Sequence, residues 1–161
     1  MATSGLLTDQ DWEHLQRAIK LARDAGRRGN LPIGCVICLG DKIVAEGQNW
    51  IWVPQSAPYR HAEMEALRAL PVDLLDQRPD MTLYSTLEPC LMCAGAILLH
   101  RIGRVMFGAA DAYGGLGATA ERLPPFFEEQ YGLASWIGPV RSQECDELYQ
   151  RVMQLVAQRG K

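Results

Sequence analysis

Two short stretches, His61-Ala62-Glu63 and Pro89-Cys90-Leu91-Met92-Cys93, constrain this chain more than any other feature, because its fold has to bring them together. They offer one imidazole, two thiols three residues apart, and a carboxylate two residues beyond the histidine. Three such ligands with a fourth position left to water are how proteins build a reactive zinc centre, whereas structural zinc is closed by four. Cys90 and Cys93 stand i and i+3 where a helical pattern begins, so both sulphurs fall on one helix face. Pro89 suits a position just before or at the first helical residue. The positive end of the helix and the ion itself both favour thiolates. Glu63, next to a ligand without needing to be one, is placed to move protons to and from the metal's water. These residues predict one zinc ion per chain, held by His61, Cys90 and Cys93, with Glu63 as general acid/base.

The rest of the chain is read by what it can place around that pair. Thr8 caps a helix with Asp9, Asp11 and Glu13 near its start and Trp12, Leu15, Ile19 and Ala22 at helical spacing; Gly26, Gly29 and Asn30 end it. Ile33–Leu39, a Gly40-Asp41 turn and Lys42–Ala45 read as a hairpin. The stretch from Gly47 to Arg60 lacks periodicity but carries Trp50, Trp52 and Tyr59, a polar-aromatic loop that is a candidate substrate wall. His61–Leu70 is a helix ended by Pro71, Val72–Asp80 a polar connection and Met81–Leu87 an alternating strand. Cys90–His100 is a second helix and Arg104–Phe107 a strand; Gly114–Gly117 is a flexible loop. Leu123–Tyr131 is ambiguous between a short helix and a surface lid. Trp136–Val140 is a last short strand with Pro139 against a central position, and Ser142 caps a final helix through Leu148, Val152, Leu155 and Val156. With neither a repeat nor a linker, residues 1–161 read as one α/β domain, layered, with mixed strand directions.

Composition narrows the function classes. A net charge of −3 disfavours a non-specific nucleic-acid binder, although it leaves room for a local basic face. Met1–Gly5 lack the pattern of an export signal, and the apolar run at Cys90–Leu99 is far short of a membrane span. Five cysteines, an odd number, with no export signal argue against a disulfide framework and for a cytoplasmic, reduced protein. Cys35 and Cys38 form a second C-x-x-C, but in a strand i and i+3 face opposite sides, so they do not share an ion. Cys145 is read as core. Glu65, Arg101 and Arg104 are read as solvated charges, and His14 and His100 as histidines without ligand partners.

H-x-E followed by P-C-x-x-C is the signature of zinc-dependent deaminases that act on bases. The chain resembles the cytidine deaminase-like superfamily in Leu31–Gly34, Glu46–Asn49, His61–Glu63, Thr86–Ala96 and Arg101–Ala109, and within it looks most like bacterial tRNA adenosine deaminases. That resemblance implies a three-layer α-β-α sandwich with a central mixed five-stranded sheet. It implies hydrolysis of an exocyclic amine on a nucleobase with release of ammonia, with adenosine in tRNA as the leading substrate. A free base, nucleoside or related heterocycle such as guanine or cytosine is the alternative. It further implies that Asn49 bonds the target base, that Ala62 and the Glu88 backbone line the pocket, that Asp111 contacts the nucleotide's sugar, and that the enzyme is a homodimer. Where the family usually carries Asp-Pro-Thr-Ala before H-A-E, this chain has Ala57-Pro58-Tyr59-Arg60, which puts Tyr59 among the candidate substrate contacts. A catalytically silent zinc-binding subunit would show a damaged acid/base position, and Glu63 is intact.

Overall fold

In the computed structural model, which describes residues 7–140 and 142–159, five strands form one mixed sheet with helices on both faces. The N-terminal tail, Met1–Gly5, lies outside the described residues. Helix α1 (Asp9–Arg27) opens on a reciprocal cap: the Asp11 amide donates to Thr8 Oγ1 at 3.1 Å, and the Thr8 amide donates to Asp11 Oδ2 at 3.0 Å. Strands β1 (Gly34–Leu39) and β2 (Lys42–Gln48) form the expected hairpin, turning at Gly40, whose φ of 56° lies in the left-handed region glycine tolerates. β2 runs to Gln48, beyond the expected Ala45, because its backbone stays paired with β1 up to Gly34↔Gln48.

Helix α2 (Ala62–Arg68) follows the aromatic loop, then a 3₁₀ segment (Val72–Asp80) leads to β3 (Met81–Leu87). Helix α3 (Leu91–Leu99) crosses from β3 to the parallel β4 (Arg104–Ala109). The ambiguous segment is helix α4 (Pro125–Leu133), entered through Pro124-Pro125, and it packs on α3. The last strand, β5, is only Ser135–Ile137, shorter than expected: it pairs on one side with β4, and the chain leaves the sheet before Pro139. Helix α5 (Gln143–Arg159) closes the described chain, with the Cys145 amide donating to Ser142 Oγ. The sheet order is β2-β1-β3-β4-β5, antiparallel on the hairpin side and parallel from β3 to β5. No helix among the described residues is long and apolar enough to cross a membrane.

Strand alternation sorts the side chains into two layers. Cys35, Ile37, Leu83 and Val105 are buried in one cluster with α2 and α3 residues Ala62, Ala66 and Ile97, while Val36, Cys38, Tyr84 and Met106 pack with Ala18 and Leu21 of α1 in the other. Cys35 and Cys38 therefore sit on opposite faces, as expected, and do not form a metal pair. Gly47 lets α2 rest directly on the sheet: a Cβ there would meet the backbone of Ala62 and Ala66.

Several charges read as solvated are in fact part of the packing. Asp11, only 5% exposed, accepts from Arg104 Nη1 at 2.7 Å and from the Tyr84 hydroxyl at 2.8 Å, tying α1 to β3 and β4. Burial pushes the Asp11 carboxyl up, but the hydrogen bonds from Arg104, Thr8 and Tyr84 outweigh it and hold it well below the usual carboxylate range. Glu65 is buried and bridges Arg60 and Arg68, each at 3.0 Å, so its carboxyl is lowered chiefly by its bond from Arg60. His14 is buried against the Tyr84 ring at 5.1 Å, whereas Trp12, expected on the core face of α1, is 37% exposed.

Candidate active site

Both metal motifs sit at helix N-termini, as their spacing predicted, though one position earlier than expected. His61 is the N-cap of α2 and Cys90 the N-cap of α3, both extended in φ and ψ, with Pro89 just outside the helix. Cys93 then lies one turn into α3, on the same face as Cys90. The fold brings His61 Nδ1 to 3.6 Å from Cys90 Sγ and 3.5 Å from Cys93 Sγ, and the three ligand atoms lie within 4.8 Å of one another. Ligands at ordinary Zn–S and Zn–N bond lengths in a tetrahedron stand about 3.5 Å apart across an S···N edge, so the donor set fits zinc in both type and spacing.

Glu63 is buried at 4% exposure on the first turn of α2. Its Oε1 accepts from the Ser85 hydroxyl at 2.9 Å, and its Oε2 lies 3.4 Å from Cys93 Sγ. Burial raises its pKa, outweighing the hydrogen bond from Ser85 and the nearby His61, which lower it. The Cys90 thiol is lowered to about 4, first by the hydrogen bond from Cys93 and further by His61, while Cys93 is pushed up by the proton it shares with Cys90 and by burial. Cys90 is thus the readier thiolate, at the positive end of α3. Ser85 was missed in the sequence; the strand alternation of Met81–Leu87 places it on the α2 face, and only the pairing of β3 with its neighbours puts it under Glu63.

The other anticipated residues divide. Glu88 lines the metal cavity, but its principal contact is through its side chain: Oε2 accepts from the Asp111 amide at 2.9 Å and Oε1 from the Gly117 amide at 2.8 Å. Its carboxylate occupies the space a Cβ would need at Gly115 or Gly117. With Leu116 N bonded to Pro89 O at 3.0 Å and Gly115 bridged to Cys90, the Gly114–Gly117 stretch is strapped down; the expectation of a flexible loop is corrected. Asp111 lies on the cavity wall, and its Oδ1 accepts from Tyr113 N, Gly114 N and, at 2.9 Å, the Tyr149 hydroxyl. Asn49 is fully buried; its Oδ1 accepts from Ile51 N at 3.2 Å, and its Nδ2 has no partner among the described residues. Ala62 is likewise buried, against Gly47. Tyr59 lies elsewhere. It is 65% exposed and lines a separate groove of about 590 Å³ with Arg60, Met64 and His100.

The metal cavity itself is small, about 160 Å³, and mostly apolar. Leu31, Ile33 and Leu87 line it together with Tyr149, Val152, Met153 and Val156 of α5. In the sequence Val152 and Val156 show only helical periodicity, whereas the resemblance marks Leu148-Tyr149-Gln150-Arg151 of the final helix as a substrate-facing stretch that departs from the tRNA enzymes; Met153 carries no signal of either kind.

Comparison with known proteins agrees with this geometry. Residues 8–109 match the family model of the cytidine and deoxycytidylate deaminase zinc-binding region. The chain is 39% identical over 141 residues to the tRNA-specific adenosine deaminase of Bacillus subtilis, a match spanning 84% of each protein. It is 34% identical to tRNA-specific adenosine deaminase 2 of Xenopus laevis, covering 68% of this chain and 66% of that one. Among solved structures it superposes with a TM-score of 0.69 and 32% identity on one from a study of A-to-I editing by tRNA:A34 deaminases, covering 85% of this chain and 99% of the other. A guanine deaminase from Nitrosomonas europaea shares the fold at 19% identity and a TM-score of 0.67, over 92% of this chain and 86% of that one.

Proposed function

The chain belongs to the cytidine and deoxycytidylate deaminase zinc-binding family, and from that premise we propose that this zinc-dependent deaminase converts adenosine to inosine within tRNA. His61, Cys90 and Cys93 would hold the zinc, which when bound would supply the Lewis acidity that makes water a nucleophile near neutral pH. Glu63 does the proton work. Buried, and steadied by Ser85, it takes a proton as water adds to the ring carbon bearing the amine. It passes that proton to the ring nitrogen whose double bond the water has opened; the second proton, from the new hydroxyl, passes by way of Glu63 to the amine as the C–N bond breaks, so that ammonia leaves and the water's oxygen remains as the carbonyl. The apolar walls formed by Leu31, Ile33 and Leu87 exclude bulk water from the exchange.

The observation that carries the tRNA assignment is the match to the Bacillus subtilis tRNA-specific adenosine deaminase along 84% of both chains. Within the site, Asn49 and the backbone around Ala62 and Glu88 are assigned to the base, and Asp111 to the nucleotide's sugar. Tyr59, outside the metal cavity, is assigned to a more distant part of the substrate, where an exposed ring can stack on an unpaired base. The enzyme works as a homodimer in the cytoplasm. Supporting the dimer, α3 turns Leu91 and Leu99, each 59% exposed, outward on the same face as Gly95, where a Cβ would meet open space. An apolar stripe of this kind is costly in water and suits a partner.

Ammonia release and inosine formation by the zinc-loaded protein, measured on tRNA and on free purines, pyrimidines and their nucleosides, test the assignment. Turnover of a free base with none on tRNA refutes it. Glu63→Gln retains zinc and loses about 10²–10⁴-fold in turnover; loss of the metal instead would make Glu63 a ligand.

A further inference from the structure

The metal cavity is closed over by a helix that the motifs do not include. Tyr149, Val152, Met153 and Val156 of α5 all line it, and their spacing of i, i+3, i+4 and i+7 defines a single helix face. At about 160 Å³ this partly open space falls below the roughly 300–1,000 Å³ typical of small-molecule sites. It suits a base, and leaves little room for a base still carrying its sugar and phosphates.

α5 is held unevenly along its length. Its first turns are rooted: Glu144 accepts from Gln16 and Arg23 of α1, each at 2.6 Å, and the Cys145 side chain is buried against Gly108. Beyond Val152 none of its described residues is buried, and Val156 is 40% exposed at the cavity mouth. A helix end with so little buried contact belongs to the part of a structure that opens most easily. Leu155 still packs against the core, and two polar contacts flank this stretch of the helix. The Tyr149 hydroxyl donates to Asp111 Oδ1 at 2.9 Å, and the Arg159 guanidinium lies 3.8 Å from the centre of the Trp52 ring. Trp52 is itself placed by Asn30, whose Oδ1 accepts from the Trp52 amide at 2.9 Å and the Val53 amide at 3.0 Å.

We propose that α5 is the roof and the size selector of the reaction chamber: Val152, Met153 and Val156 set its ceiling at the dimensions of a base, and the Tyr149–Asp111 and Arg159–Trp52 contacts are latches that a substrate still carrying sugar and phosphates must open. The proposal rests on the reading of this cavity as the deaminase site, and it holds whichever base that site takes. Tyr149 and Arg159 are positioning residues, acting through the helix; Met153 is the specificity determinant.

The test uses the zinc-loaded full chain. Arg159→Ala and Tyr149→Phe remove one latch each, the first at an exposed position and the second by deleting a single hydroxyl, so both variants keep the fold. Zinc extraction by the coloured chelator 4-(2-pyridylazo)resorcinol reads access to the cavity without reference to turnover. Each latch variant accelerates extraction about two- to fivefold, the yield expected from losing one weak surface contact. Met153→Ala raises the kcat/KM ratio of adenosine over adenine, and of an anticodon stem-loop RNA over adenosine. Extraction at the wild-type rate in both latch variants, or unchanged ratios in Met153→Ala, overturns the proposal. A wild-type enzyme active on a free base and inert on RNA overturns the tRNA assignment alone, since the extraction rates still report the roof.

Discussion

Gly47→Ala probes how closely the chemistry depends on the seating of α2. An added methyl at Gly47 would run into the carbonyl oxygen of Ala62 and lie 2.5 Å from the Ala66 amide nitrogen, where real contacts do not fall under 3.0 Å. Both atoms are helix backbone and have no rotamer with which to move aside. The strand is held as well, since Gly47 is paired with Cys35 in the β1–β2 ladder, with a further pair, Gly34 and Gln48, beyond it. Helix α2 must therefore lift by something on the order of 1 Å, and it carries Glu63 with His61 at its cap. A displacement of that size costs about 100-fold in kcat/KM, and it breaks the tolerance of about 0.2 Å expected of zinc ligands. Overpacking adds roughly 1–3 kcal/mol of destabilisation, a fall in Tm of about 2–12 °C for a chain of this length. Zinc content by atomic absorption, kcat/KM and a thermal melt are measured together. Gly132→Ala in α4 is the control, because a Cβ there meets nothing within 4 Å, and helix propensity makes it neutral or slightly stabilising. Full zinc occupancy with unchanged kcat/KM in Gly47→Ala would refute the reasoning.

Three further outcomes follow from the charges. Ser85→Ala removes a hydrogen bond that favours the ionised form of Glu63, so its pKa rises further and the acidic limb of the kcat/KM profile moves to higher pH; a limb that stays put means that Glu63 is not the titrating base. Asp11 has a folded pKa depressed below its unfolded value, so its contribution is present above the usual aspartate range and is lost as pH falls toward the folded value. Asp11→Ala accordingly costs about 1.5–3 kcal/mol in urea unfolding at pH 7, since Arg104, 30% exposed, can turn to water, and the gap to wild type narrows below about pH 4; a gap constant between pH 3 and 7 contradicts this. After zinc is stripped by chelation, iodoacetamide modifies Cys90 first among the five cysteines, because its thiol is lowered to about 4 while burial pushes Cys38 up to about 12 and Cys145 up to about 11. Peptide mapping reads the order, and a first hit at Cys145 would contradict it.

Local signals proved sufficient for much of this protein. The α1 cap, the Gly40 turn and the alternation of Met81–Leu87 are written in neighbouring residues, and each element formed where its pattern lies. The corrections fall where partners are remote in the chain. Asp11 meets Arg104 across 93 positions, and Glu88 reaches Gly117 across 29. A lone acid or arginine looks the same in sequence whether it is solvated or bridging two layers, and a run of glycines looks free until a carboxylate is found beneath it. β5 was read too long because apolar content marks a strand without saying where its pairing partner ends.

By itself the sequence determined the metal-binding donor set: ligand type, i and i+3 spacing and a carboxylate two residues from a ligand are properties of bonds and helix pitch, which travel with the local chain. What the tertiary structure decided is the space above that centre. The ceiling from Tyr149 to Val156, the strap from Glu88 to Gly117, and the exclusion of Tyr59 to a neighbouring groove all depend on how distant segments pack. The metal chemistry is a matter of which atoms are present; the size of what reaches it is a matter of volume, and volume exists only once the layers have closed.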